Sequence, residues 1–127
     1  MTEKNKVDFT AVFQRLKRIY AGYCRGSLKA GADDAANYTL TSPPVPQNRG
    51  NEVWFGGVQV KKNYVSCYLM PVYVYPELLE GLSPALKKHM QGKSCFNFTR
   101  VDEELLAEFE QLSQRSYRRF LEGGWIN

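Results

Sequence analysis

A chain of 127 residues that is 43% hydrophobic and 13% aromatic can bury one core without metals or disulfides, and it is too apolar to remain disordered. Its net charge of +4 is modest, and no apolar run approaches the ~20 residues of a membrane span. Three scattered cysteines (Cys24, Cys67, Cys95) lack CxxC spacing and suit free thiols in a reducing compartment. No hydrophobic segment follows Met1-Thr2-Glu3-Lys4-Asn5-Lys6, so no secretory signal is expected and the expected address is cytoplasmic.

Residues 1–7 read as a flexible tail ahead of a single domain spanning the chain. Phe9, Val12, Phe13, Leu16, Ile19, Tyr20 and Tyr23 then recur at three- and four-residue steps and predict an amphipathic helix. Asp8 is its expected N-cap, and Gly22 and Gly26 its expected end. Residues 37–40 read as a short strand, and the proline-rich stretch 42–51 as a loop. Residues 52–70 carry the clearest strand signal, with Lys61-Lys62-Asn63 as hairpin tip. Plain alternation from Val53 and Phe55 would turn Gln59 and Lys61 inward. A bulge at Gly56-Gly57 instead returns Val58 and Val60 to the core.

Pro76 opens a short predicted helix that Gly81 closes, and Ser83 caps another running through Lys87, Lys88 and His89. Residues 94–99 read as the last strand, with Phe96 and Phe98 alternating against Cys95 and Asn97. Thr99-Arg100-Val101-Asp102 resembles a capping box before a long helix striped by Leu105, Leu106, Phe109, Leu112, Ser116 and Phe120, which Gly123-Gly124 ends. The order implies an α+β two-layer sandwich: an antiparallel sheet with N-terminal and C-terminal helices packed on one face.

Charge is unevenly placed. Residues 1–31 hold seven Lys and Arg against Glu3 and Asp8, while acids gather in the C-terminal segment. A basic face can steer acidic partners, but a solvated helix surface is the ordinary reading, and nucleic acid is not the expected partner.

Catalytic motifs are missing, so no catalytic residue is assigned. His89, the only histidine, is expected on the solvent side of its helix. A Cys95–His89 dyad is one alternative, giving a thiol-based enzyme or redox protein centred on Cys95. Against it, a strand cysteine is ordinarily a small buried hydrophobe. Gln91-Gly92-Lys93-Ser94 ends like a phosphate loop, yet the earlier glycine position holds Lys87, so it reads as a turn from helix to strand. Asp102, Glu103, Glu104 and Glu108 offer oxygen ligands for a hard cation. The same acids also complement the dipole at a helix N-terminus.

The face opposite the helices remains. With Val53, Phe55, Val58, Val60, Val65, Cys67 and Leu69 turned inward, Trp54, Gln59, Lys61, Tyr64, Ser66, Tyr68 and Asn97 turn outward. Aromatic rings with amide and cationic neighbours suit a binding surface, and they equally serve as cross-strand pairs that stabilise a sheet.

Val58-Gln59-Val60-Lys61-Lys62-Asn63-Tyr64-Val65-Ser66, Met70-Pro71-Val72-Tyr73 and Met90-Gln91-Gly92-Lys93-Ser94-Cys95-Phe96-Asn97-Phe98 resemble the YdhG-like family of small bacterial proteins, a domain family of unknown function. The resemblance implies a frataxin-like two-layer fold, and it brings an iron-binding chaperone as an alternative function, with Asp102, Glu103, Glu104 and Glu108 as its acids. Frataxin-type iron binding uses acids along the first helix, where this chain carries Arg15, Lys17 and Arg18.

The leading expectation is a non-enzymatic binding domain without a cofactor. Trp54, Gln59, Tyr64, Tyr68 and Asn97 are its contacts and Lys61 its charged anchor. The expected partner is a protein or a small molecule, with no membrane role, and the expected state is a monomer or weak homodimer.

Overall fold

Six antiparallel strands, β1 (Lys29–Asp33), β2 (Asn37–Val45), β3 (Asn51–Val60), β4 (Val65–Leu69), β5 (Met90–Gln91) and β6 (Cys95–Phe98), form an open sheet in the order β1-β2-β3-β4-β6-β5, and two long helices bury their apolar stripes against it. The computed structural model describes residues 8–127, so the expected tail at 1–7 lies outside the described residues. The fold class read from the sequence, α+β with terminal helices, is the one observed.

Helix α1 runs Thr10–Ala21 and buries Val12, Phe13, Leu16, Ile19 and Tyr20. Its N-cap is Phe9, which makes no side-chain cap bond. Asp8 instead accepts from the Thr10 N–H at 2.9 Å from one residue further out. Two strands follow, β1 (Lys29–Asp33) and β2 (Asn37–Val45).

β1 was not expected. Lys29-Ala30-Gly31-Ala32-Asp33 has no β-branched or aromatic residue, and its extended state comes from pairing with the edge of β2, where Thr39 Oγ1 accepts from the Ala32 N–H at 2.8 Å. β2 also extends beyond the predicted 37–40. Pro43 and Pro44 fall inside a register irregularity between Ser42 and Val45, the place where missing N–H groups do least harm to a ladder.

β3 (Asn51–Val60) and β4 (Val65–Leu69) form the predicted hairpin, with the Lys61 N–H bonded to the Tyr64 carbonyl at 2.8 Å. The expected bulge is present, one residue earlier than placed. Leu40 pairs with Gly56 and Thr41 with Trp54, so Phe55 is the extra residue. Its effect is the expected one: Val53, Phe55 and Val58 are all buried and Val60 packs against the core.

Helix α2 (Met70–Val74) and a 3-10 turn at Pro76–Leu79 lead to α3 (Pro84–Lys87). Ser83 caps α3 as expected, its Oγ accepting from the Leu86 N–H at 3.1 Å. Strand β5 (Met90–Gln91) was also unexpected, and Gly92-Lys93 turns it into β6 (Cys95–Phe98), so the turn joins two strands. Helix α4 spans Glu103–Glu122. Its cap is Asp102, which accepts from the Leu105 N–H at 3.3 Å. The predicted box therefore stands one turn too early.

One cluster of buried side chains unites the layers. Phe109 of α4 sits among Phe96, Phe98 and Tyr20, with ring centroids 5.2, 5.6 and 6.3 Å away. A buried phenylalanine of this kind contributes about 2–3 kcal/mol. Past α4, Trp125 stacks on Phe120 at 4.9 Å and its indole N–H donates to the Tyr75 hydroxyl at 2.9 Å. Among the described residues, no helix is long and apolar enough to cross a membrane.

Candidate functional site

Strand parity decides what the outer face carries. Tyr38, Leu40, Val58, Cys67, Leu69, Phe96 and Phe98 are all buried on the helix side. Their strand neighbours Asn37, Thr39, Trp54, Gln59, Tyr68, Cys95 and Asn97 are half-buried on the other side. The face has two chemical halves.

The first is aromatic. Trp54 of β3 and Tyr68 of β4 lie with ring centroids 5.5 Å apart at 49°, a tilted pair. The second is a polar ladder across three strands. Ser66 donates its hydroxyl to Asn97 Oδ1 at 2.7 Å, and the Asn97 amide donates to Gln91 Oε1 at 2.6 Å. Cys95 pairs with Tyr68 across the strands, and its thiol lies 3.5 Å from the same Asn97 oxygen.

Of the predicted outward residues, Trp54, Tyr68, Gln59 and Asn97 lie on these central strands, with Gln59 opposite Ser66. Tyr64 is half-buried in the bend just before β4, and Lys61 is exposed at the hairpin. Asn37, opposite Gln59, has a shielded Oδ1 with no hydrogen-bond partner among the described residues.

Cys95 belongs to this face and not to the core. The alternation that turns Asn97 outward does the same for Cys95, so the pattern was readable; treating the thiol as a buried hydrophobe hid it. Gln91 was missed because two residues give no periodic signal for a strand. Partial burial pushes the Cys95 thiol up, with hydrogen bonds from Ser66 and Tyr68 and the Lys61 ammonium working against that rise. Cys67, fully buried, is pushed up much further by desolvation.

The Cys95–His89 dyad does not assemble. His89 is half-buried, not solvent-facing; its ring stacks on the core-side Phe98 at 5.1 Å, and Nδ1 sits 2.8 Å from the Asn97 carbonyl. Cys95 alternates to the opposite side of the sheet.

The four acids of the cation alternative have separate tasks. Asp102 caps α4. Glu103 takes a forked ion pair from Arg15 at 3.0–3.2 Å, which holds its carboxyl below the ordinary range. Glu108 accepts from the Ser83 N–H and hydroxyl at 2.8 and 2.6 Å, while Glu104 is exposed. Among the described residues no three His, Cys, Asp or Glu converge on one point as a metal site would require.

Comparison with family profiles, curated proteins and solved structures gives no match for this chain.

Proposed function

We propose that the chain is a non-enzymatic binding domain whose outer sheet face holds a planar ligand or partner group, rings against Trp54 and Tyr68 and polar edges against Gln59, Asn97 and Gln91. The observation that carries this reading is the tilted Trp54–Tyr68 pair set beside the Ser66–Asn97–Gln91 ladder. Rigid rings supply contact area at little entropic cost, and amides that already share hydrogen bonds are held in place to give direction. Lys61 adds a cation at the hairpin rim. The segments that carry the YdhG-like resemblance cover the end of β3, the first two residues of β4, and β5 and β6, while Trp54 and Tyr68 lie outside them.

Native mass spectrometry of gently purified protein tests the reading. The wild type is expected to carry a bound molecule or partner that Trp54→Ala, folded by circular dichroism, fails to retain. Equal retention by both proteins, or no bound species on the wild type, rejects it.

A further inference from the structure

On the helix layer, away from the outer sheet face, α1 and α4 leave a groove of about 580 Å³ between them. Three arginines line it: Arg18 on α1, Arg25 just beyond it, and Arg118 on α4. Among the described residues, none of the three has a carboxylate within ion-pair distance; the pairs that form belong to Arg15 and Lys17. Glu110 also lines the groove, and its carboxylate lies 3.8 Å from Arg15.

The floor is built to hold a cation still. Tyr23 and Tyr117 stack at 4.9 Å and 24°. Arg25 lies 5.0 Å over the Tyr117 ring and donates from Nε to the Tyr117 hydroxyl at 3.2 Å. A guanidinium fixed on one edge keeps its other N–H groups free for a ligand and loses less freedom when one binds. Burial, reinforced by the nearby Glu110 carboxylate, pushes the Tyr23 phenol up to about 12.

We infer that the α1–α4 groove is a binding site for a soluble molecule bearing two or more phosphate groups, gripped by Arg18, Arg25 and Arg118. Guanidinium forks match phosphate oxygens in pairs, and a groove of this volume falls within the range that encloses a small molecule. Three guanidiniums line the groove against a single carboxylate, Glu110, so its lining carries a net positive charge.

Inorganic pyrophosphate and tripolyphosphate are the probes, titrated at low salt while amide NMR signals are followed. Saturable shifts are expected across residues 18–25 and 114–121. The double variant Arg18→Gln/Arg118→Gln is expected to weaken tripolyphosphate at least about tenfold, whereas Lys87→Gln, outside the groove, keeps wild-type affinity. No saturable binding, or equal loss in Lys87→Gln, overturns the site. Vesicles containing anionic phospholipid form the second arm. Cosedimentation that tripolyphosphate displaces supports the phosphate chemistry, and cosedimentation that it does not displace overturns a soluble ligand.

Discussion

The buried hydroxyl of Tyr20 donates to the backbone carbonyl of Tyr68 at 2.7 Å, tying the N-terminal helix to the strand that carries the outer aromatic pair. Tyr20 is 1% exposed, so no water replaces that bond if it is lost. Tyr20→Phe is expected to cost about 0.5–1.5 kcal/mol, the net worth of one hydrogen bond, since the Tyr68 carbonyl keeps its place in the β3–β4 ladder opposite Gly57. Urea denaturation reads this as a lower midpoint with an unchanged slope.

Gly56 faces the same carbonyl from across the strands. A Cβ there would overlap the Tyr68 oxygen, at the point where the bulge lets β3 approach β4 and Tyr20. Gly56→Ala is expected to cost about 2–3 kcal/mol, since backbone has to move. Gly50 also has a positive φ, +78°, but open space around its Cβ position, so Gly50→Ala should cost only about 1 kcal/mol. Thermal melts of the two variants separate close approach from backbone strain.

The Arg15–Glu103 pair gives stability an acid dependence. Glu103 ordinarily titrates at 4.5, and the hydrogen-bonded Arg15 guanidinium lowers it in the folded state. A lowered carboxyl contributes stability above its unfolded value, and that contribution fades as pH falls through the folded one. Glu103→Gln should therefore be less stable than wild type near pH 7. The difference should shrink as pH falls below 4.5 and shrink with added salt, the pair being exposed. Denaturation midpoints at a series of pH values measure it.

The cysteines should alkylate in a fixed order. Cys24 is exposed, Cys95 is half-buried with a raised thiol, and Cys67 is fully buried with a thiol raised further. Iodoacetamide at mildly alkaline pH is expected to modify Cys24 first and Cys95 more slowly, with Cys67 reacting only on unfolding. Peptide mass spectrometry over time reads the order, and a Cys95 that outruns Cys24 would contradict its environment.

Glu108 is committed to Ser83, whose hydroxyl also caps α3. Glu108→Ala is expected to cost about 1–3 kcal/mol by releasing two charge-assisted hydrogen bonds. With Asp102 and Glu103 engaged as well, ferrous iron should produce no NMR broadening confined to residues 102–108. Broadening centred there would restore the cation reading.

Much of this fold was legible in one dimension. The stripes of α1 and α4 and the alternation of β4 and β6 report which side chains leave water, and hydrophobic burial obeys those periods wherever the element is long enough. Even the bulge was legible, because without it Val58 and Val60 would face solvent. The strands that escaped notice, β1 and Met90–Gln91, have no such pattern. One lacks strand-forming side chains and the other is two residues long, so both exist only because a neighbouring strand offers unpaired backbone groups.

The candidate sites divide the same way. Parity alone set Trp54, Tyr68, Ser66 and Asn97 on one face, and it would have set Cys95 there too. What parity does not contain is distance between elements far apart in the chain. The Asn97–Gln91 bond, the engagement of Glu103 by Arg15 and of Glu108 by Ser83, and the meeting of Arg18, Arg25 and Arg118 in one groove arise only when strands register and helices pack. The sequence by itself determined which surfaces are apolar. Tertiary structure decided which charges find partners and which are left to bind something else, because electrostatic pairing depends on separations of a few ångströms that no local period encodes.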